Sequence, residues 1–158
     1  ASDWSSDVCS SDLPPAMDRV LAACGAEVVD FPFKTECCGA AFAMPRLDVM
    51  RRLSARILGM ARDCGADVVV VACPLCQMNL DLRQGQVSAG SGERYDLPVP
   101  YFTQLLGLAL GLPEGGLALG KLVLDLRPAL DKAARRAAEA PAKSQKGAKA
   151  KPETSEEA

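Results

Sequence analysis

The sequence predicts an α/β domain, a small parallel sheet with flanking helices, and three observations predict it. A β-branched run from Asp67 to Ala72 comes after a long amphipathic segment and a glycine, the order of a helix, its cap and a strand buried on both faces. The block Ala23-Cys24-Gly25-Ala26-Glu27-Val28-Val29-Asp30 repeats that order beside Asp63-Cys64-Gly65-Ala66-Asp67-Val68-Val69-Val70. Each copy then runs on to a cysteine pair, Cys37-Cys38 in the first and Cys73-Pro74-Leu75-Cys76 in the second. A right-handed βαβ arrangement makes the two strands parallel and puts both pairs at the same carboxyl edge of the sheet, where such folds bind their ligands.

Each element has a local reason. Residues 1–13 carry a tandem Ser-Ser-Asp-Val and Ser-Ser-Asp-Leu with no structural period; they resemble a translated sequencing-adapter peptide and read as a non-native or disordered leader. Pro14-Pro15 opens a helix through Met17, Val20 and Leu21 that stops at Gly25, and Ala26 to Phe31 reads as a short strand. From Pro45 a long helix keeps Leu47, Met50, Leu53, Ile57, Leu58 and Ala61 on one face and most of its arginines off it, a solvated face or a docking surface for another subunit. A short helix contains Gln77 to Leu82, Arg83 to Leu97 reads as a loop, and Val99 to Phe102 is a third strand with Pro100 arguing for an edge. Thr103 is positioned to cap a helix over Gln104 to Leu110 that ends at Gly111. Residues 14–130 thus form the domain, and 131–158, with seven Lys/Arg and five Asp/Glu among small residues, read as a frayed helix and a disordered tail.

Composition narrows the function. The 158 residues are 49% hydrophobic and 24% charged with a net charge of −2, the balance of one globular domain with no electrostatic reason to bind nucleic acid. The apolar stretches are far shorter than the roughly 20 residues of a membrane span. Histidine is absent, which removes His-based triads, His-ligated metals and His acid/base catalysis together. Seven cysteines, an odd count that includes an adjacent pair, with no secretory signal, favour a metal or redox role in a reducing cytoplasm over a disulfide scaffold.

Cys37, Cys38, Cys73 and Cys76 are therefore the candidate metal- and cofactor-binding residues. Four thiols delivered by two loops suit soft iron or zinc, and Pro74 in a first helical turn puts thiolates at a helix N-terminus. A structural zinc site normally spaces each ligand pair by about two to four residues. The adjacent Cys37-Cys38 fits that poorly and an iron–sulfur cluster better, with zinc as the alternative cofactor. Cys24 and Cys64 precede capping glycines and read as small buried residues. The Cys73–Cys76 motif alone also matches a thioredoxin-type redox turn, which leaves Cys37-Cys38 unexplained. Gly115 to Lys121 formally matches a phosphate loop but is followed by Leu122 in place of Ser/Thr, a chance match.

Three blocks together carry a resemblance: Glu36-Cys37-Cys38-Gly39, Gly65 through Asp81 including Cys73-Pro74-Leu75-Cys76-Gln77-Met78-Asn79-Leu80, and Pro98 through Gly111. Over about residues 14–130 the chain resembles the C-terminal cysteine-rich domain of the heterodisulfide reductase family, in its B-type subunit. The resemblance implies a Rossmann-like cysteine-rich domain and a noncubane 4Fe-4S cluster on Cys37, Cys38, Cys73 and Cys76, through which those residues are catalytic. It implies two-electron reduction of a small-molecule disulfide in a cytoplasmic complex with flavin-containing and ferredoxin-like subunits. The family motif has a fifth, upstream cysteine; Cys9 is separated from Cys37 by only 27 residues and lies within the leader, and does not take that role. With one incomplete motif, the chain is expected to be a fragment inactive by itself. Related cysteine-rich subunits of lactate, glycolate or glycerol-phosphate oxidation complexes, which transfer electrons, and a structural zinc domain are the rival readings.

Overall fold

Helices dominate residues 15–139, which are the residues that the computed structural model describes. They are α1 (Ala16–Ala23), α2 (Leu47–Asp63), α3 (Pro74–Gln77), a π-helical turn continuous with it (Met78–Leu82), α4 (Gln84–Ser91), α5 (Phe102–Ala109) and α6 (Arg127–Glu139). Short 3-10 turns lie at Ala40–Phe42, Glu114–Gly116 and Leu119–Lys121. The expectations for residues 1–13 and for the tail beyond Glu139 fall outside the described residues.

The central element is α2. Its apolar face is buried through Met50, Ile57, Leu58 and Ala61, with Ser54 as the one polar intruder, while Arg46, Arg52 and Arg62 stay at the surface. Burying a side chain such as Leu58 contributes about 1.5–3 kcal/mol, so this face anchors the core. Asp48 in the first turn and Arg62 in the last complement the helix dipole. At its end Gly65 takes φ 73° and the Ala66 N–H reaches back to the Ala61 carbonyl at 3.0 Å. Gly25 closes α1 in the same way, with φ 86° and Ala26 N–H on the Leu21 carbonyl at 3.1 Å. The two helix ends of the internal repeat are thus one cap geometry used twice.

Beyond the caps the chain departs from the expected α/β architecture. Among the described residues there is no strand and no sheet, so the parallel sheet and the Rossmann-like fold are not supported: the domain is helical. Ala26–Phe31 has no regular structure and is largely exposed. Of the second and third expected strands one parallel bridge survives, Val71 with Tyr101. Val71 N–H donates to the Pro100 carbonyl at 3.1 Å, Phe102 N–H to the Val71 carbonyl at 3.0 Å, and Val69 N–H to the Pro98 carbonyl at 3.0 Å. The intervening rung needs an N–H at residue 100 to reach the Val69 carbonyl, and Pro100 has none. The β-branched pattern does report burial, with Val69, Val71 and Val99 in the core, but burial is not pairing.

Residues 83–97 are not a loop throughout, since α4 occupies Gln84–Ser91. Its intrinsic signal is weak, and it is packing that makes the helix: Val87 and Gln84 are buried, and Gly90 lies so close to Arg51 that a Cβ there would sit 2.8 Å from Cδ. The α5 helix begins two residues earlier than the sequence predicts, with Tyr101 and not Thr103 at its N-cap and Gln104 Oε1 accepting the Tyr101 N–H at 2.8 Å. The α6 helix starts at Arg127, beside the buried Leu126, and ties back through Lys132 to Asp67 and Arg136 to Glu27.

Candidate metal centre

Two different backbone devices present the cysteine pairs. Cys73 is the extended N-cap of α3 (φ −96°, ψ 127°), with Pro74 in the first helical position, where a missing N–H costs nothing. Backbone N–H groups of Cys76 and then Leu75 hydrogen-bond the Cys73 sulfur and hold its thiol below the ordinary range. Cys76, one turn on, is half-buried. Burial pushes its thiol up to about 12, and the neighbouring Cys38 and Cys73 sulfurs add to the shift.

The other pair is set by a glycine turn pressed onto α2. Gly39 has φ 78°, and a Cβ there would lie 3.0 Å from Leu53 Cδ1 and 3.1 Å from the backbone Cα of Met50. Both the dihedral and the clearance favour glycine. Cys38 beside it is 2% exposed, and its carbonyl accepts the Ser54 hydroxyl at 2.9 Å and Asn79 Nδ2 at 3.4 Å. Cys37 is exposed, with its sulfur accepting the Gly39 N–H at 3.4 Å.

The structure therefore brings Cys38 and Cys73 into the surroundings of Cys76 and leaves Cys37 on the exposed side of the same turn. No group of three or more Cys, Asp or Glu side chains among the described residues is gathered closely enough to hold a metal ion as it stands. As a donor set the residues fit an iron–sulfur cluster or zinc: soft thiols on two loops, one favoured as thiolate by a helix N-terminus, two withdrawn from water. Cys24 and Cys64 sit apart in role, at the C-caps of α1 and α2, and are half-buried where the sequence predicts burial. All six described cysteines are free. Cys9 lies outside the described residues.

Sequence reasoning misses the residues that hold Cys38. Ser54 signals itself as a hydroxyl on an otherwise apolar helix face, and Asn79 as a polar residue next to the Cys73–Cys76 turn. Asn79, Leu80 and Asp81 are buried one after another in the π-helical turn, a run that an α-helical period would not give.

Residues 5–81 match the model of the cysteine-rich domain family, CCG. The chain is 35% identical over 116 residues to the 8-methylmenaquinol:fumarate reductase membrane anchor subunit of Wolinella succinogenes, covering 73% of this chain and 41% of that protein. It is 35% identical over 115 residues to the B-type subunit of the ferredoxin/F420H2-dependent CoB-CoM heterodisulfide reductase of Methanosarcina acetivorans, covering 69% and 37%. To the B-type subunit of the ferredoxin:CoB-CoM heterodisulfide reductase of Methanosarcina mazei it is 33% identical over 115 residues, with the same coverage. The chain spans about two fifths of the length of the curated relatives it matches. No helix among the described residues is long and apolar enough to cross a membrane. With the cysteine turns, the family match and these identities in agreement, residues 5–81 carry a CCG cysteine-rich domain, and the chain is homologous over most of its length to the B-type subunit of heterodisulfide reductase.

Proposed function

We propose that the chain is the cluster-bearing part of an oxidoreductase subunit, in which Cys37, Cys38, Cys73 and Cys76 hold a noncubane 4Fe-4S cluster. The observation that supports this most is the contact of Cys38 with the turn that follows Cys73–Cys76, across 34 intervening residues between the cysteine pairs. Asn79 Nδ2 lies 3.4 Å from the Cys38 carbonyl and 3.8 Å from its sulfur, and Cys76 packs against the core that contains Cys38. Such a cluster, when bound, supplies single-electron steps. The protein's own contribution is to hold and shield the sulfurs. The N–H groups at the start of α3 favour the thiolate of Cys73, the Gly39 turn fixes Cys38 against α2, and the core around Cys38 excludes water. The reaction is disulfide reduction, RSSR + 2e⁻ + 2H⁺ giving two thiols. The S–S bond breaks, both sulfurs are reduced, electrons come from ferredoxin-like and flavin-containing partner subunits, and protons come from solvent. A cytoplasmic setting and free thiols belong to the same reading.

The fumarate reductase relative favours a second reading, electron transfer in a complex whose substrate is not a disulfide, akin to the lactate, glycolate or glycerol-phosphate complexes. A longer protein carrying the upstream sequence, assayed anaerobically, separates the two. Reductant-driven disulfide cleavage that Cys38→Ser and Cys76→Ser abolish supports the first. Cluster-dependent electron transfer to a quinone without any disulfide cleavage supports the second.

A further inference from the structure

We infer that Asn79 is a positioning residue for the metal centre, donating from Nδ2 to both the sulfur and the carbonyl of Cys38 and so fixing that ligand's orientation and electron density. The inference rests on reading the thiols as metal ligands. Asn79 is 0% exposed and opens the buried stretch of the π-helical turn. Its Nδ2 lies 3.4 Å from the Cys38 carbonyl oxygen and 3.8 Å from Cys38 Sγ, while its Oδ1, equally buried, has no hydrogen-bond partner among the described residues.

The asymmetry between the two ends of this amide is what points to a ligand. Buried amides normally pair both ends, and an unpaired buried acceptor is destabilising. Turning the amide over would set Oδ1 against the Cys38 carbonyl oxygen, which can only accept, so the donor end is committed to Cys38. A leucine would keep the branch point and the number of side-chain heavy atoms, with bulkier methyls in place of oxygen and nitrogen, and strand no side-chain polar atom. Stability therefore gives little reason for an amide at this position, whereas a ligand sulfur does. An N–H donated to a metal-bound thiolate fixes its rotamer and draws charge from it, which favours the reduced state of the centre. Ser54 makes the instructive contrast, since its hydroxyl reaches only the Cys38 carbonyl among that residue's atoms, at 2.9 Å.

The test uses the 158-residue chain, reduced and anaerobic, titrated with Co²⁺ as the probe and read by the thiolate-to-cobalt charge-transfer band. Asn79→Leu is expected to keep the wild-type circular dichroism, to bind Co²⁺ about 10-fold or more weakly, and to shift the band. Ser54→Ala is expected to leave the band where it is. Asn79→Ala, which inserts no bulk, carries the same binding and band expectation as the leucine variant and decides the matter if that variant misfolds. Wild-type affinity and an unmoved band in the Asn79 variants overturn the inference, as do equal changes in the Asn79 and Ser54 variants, which would reduce Asn79 to a backbone tether. A wild-type chain that takes up no cobalt overturns the thiol reading itself, and this inference with it.

Discussion

Gln84 holds Leu97 by both of its backbone groups: Gln84 Nε2 donates to the Leu97 carbonyl at 2.9 Å and Gln84 Oε1 accepts the Leu97 N–H at 3.0 Å. A side-chain amide does here what a neighbouring strand would do in a sheet. The same Nε2 also reaches the Leu80 carbonyl at 2.7 Å, which ties the π-helical turn to the segment that carries Val99 and Tyr101. Replacing Gln84 by Leu strands a buried donor and acceptor and is expected to destabilise the domain by about 2–4 kcal/mol. Urea unfolding that shows a lower midpoint at unchanged slope checks this; a midpoint within error of wild type would mean that water serves Leu97 as well.

This contact also explains how much of the fold is legible in the sequence. The long α2 helix, the glycine caps at Gly25, Gly65 and Gly111, and the short helix after Cys73 arise from local chemistry, and the structure has them. The expected sheet rests on Val68 to Val71, whose apolar run reports burial and says nothing of what satisfies the backbone. Pro100, lacking an N–H, and Gln84, reaching across to Leu97, decide that instead. The helix α4 escapes sequence reasoning because tertiary packing of Val87 and Gly90 outweighs a weak local signal. The cysteine pairs are legible as chemistry, while Ser54 and Asn79, which hold Cys38, only become visible in three dimensions.

Gly39 and Gly25 share a positive φ and differ in surroundings. At Gly25 nothing lies within 4 Å of where a Cβ would stand, whereas at Gly39 the backbone of Met50 lies 3.1 Å away. Gly25→Ala is expected to cost about 1–2 kcal/mol, the left-handed penalty alone. Gly39→Ala is expected to cost more than that and to weaken metal uptake, because the Cys37-Cys38 turn must lift from α2. Equal losses in the two variants, measured by urea unfolding, would show that the close approach at Gly39 is relieved without moving the turn.

Asp81 is buried, and burial, opposed by backbone N–H groups of Val123, Leu124 and Val99, raises its carboxyl above the ordinary 3.8. The folded state then binds this proton more tightly than the unfolded state. Its contribution to stability is full below about pH 3.8 and is lost as pH rises through the raised folded value. Asp81→Asn keeps an acceptor for the Val123 N–H, which lies 3.0 Å from Oδ2, and has nothing to ionise. Relative to wild type the variant should gain stability between about pH 4 and pH 7, as denaturation at the two values will show. A variant that instead loses ground at the higher pH would mean that the charge itself is favourable there.

The 158-residue chain alone is expected not to turn over a disulfide, even when loaded with iron and sulfide. It holds one set of four candidate ligands and spans about two fifths of its relatives. An anaerobic assay with a strong reductant and a small disulfide checks this. Sustained turnover that Cys37→Ser or Cys73→Ser abolishes would show that one incomplete motif is enough.

Whether Cys38, Cys73 and Cys76, with Cys37, hold an iron–sulfur cluster is answered most directly by the metal and acid-labile sulfide content of chain purified and reconstituted without oxygen. Iron and sulfide are expected in comparable amounts, with a loss of most of both in Cys38→Ser and Cys76→Ser and none in Cys24→Ser or Cys64→Ser. Stoichiometric zinc without sulfide, or iron and sulfide that persist when Cys38 and Cys76 are replaced, would contradict a cluster held by these thiols.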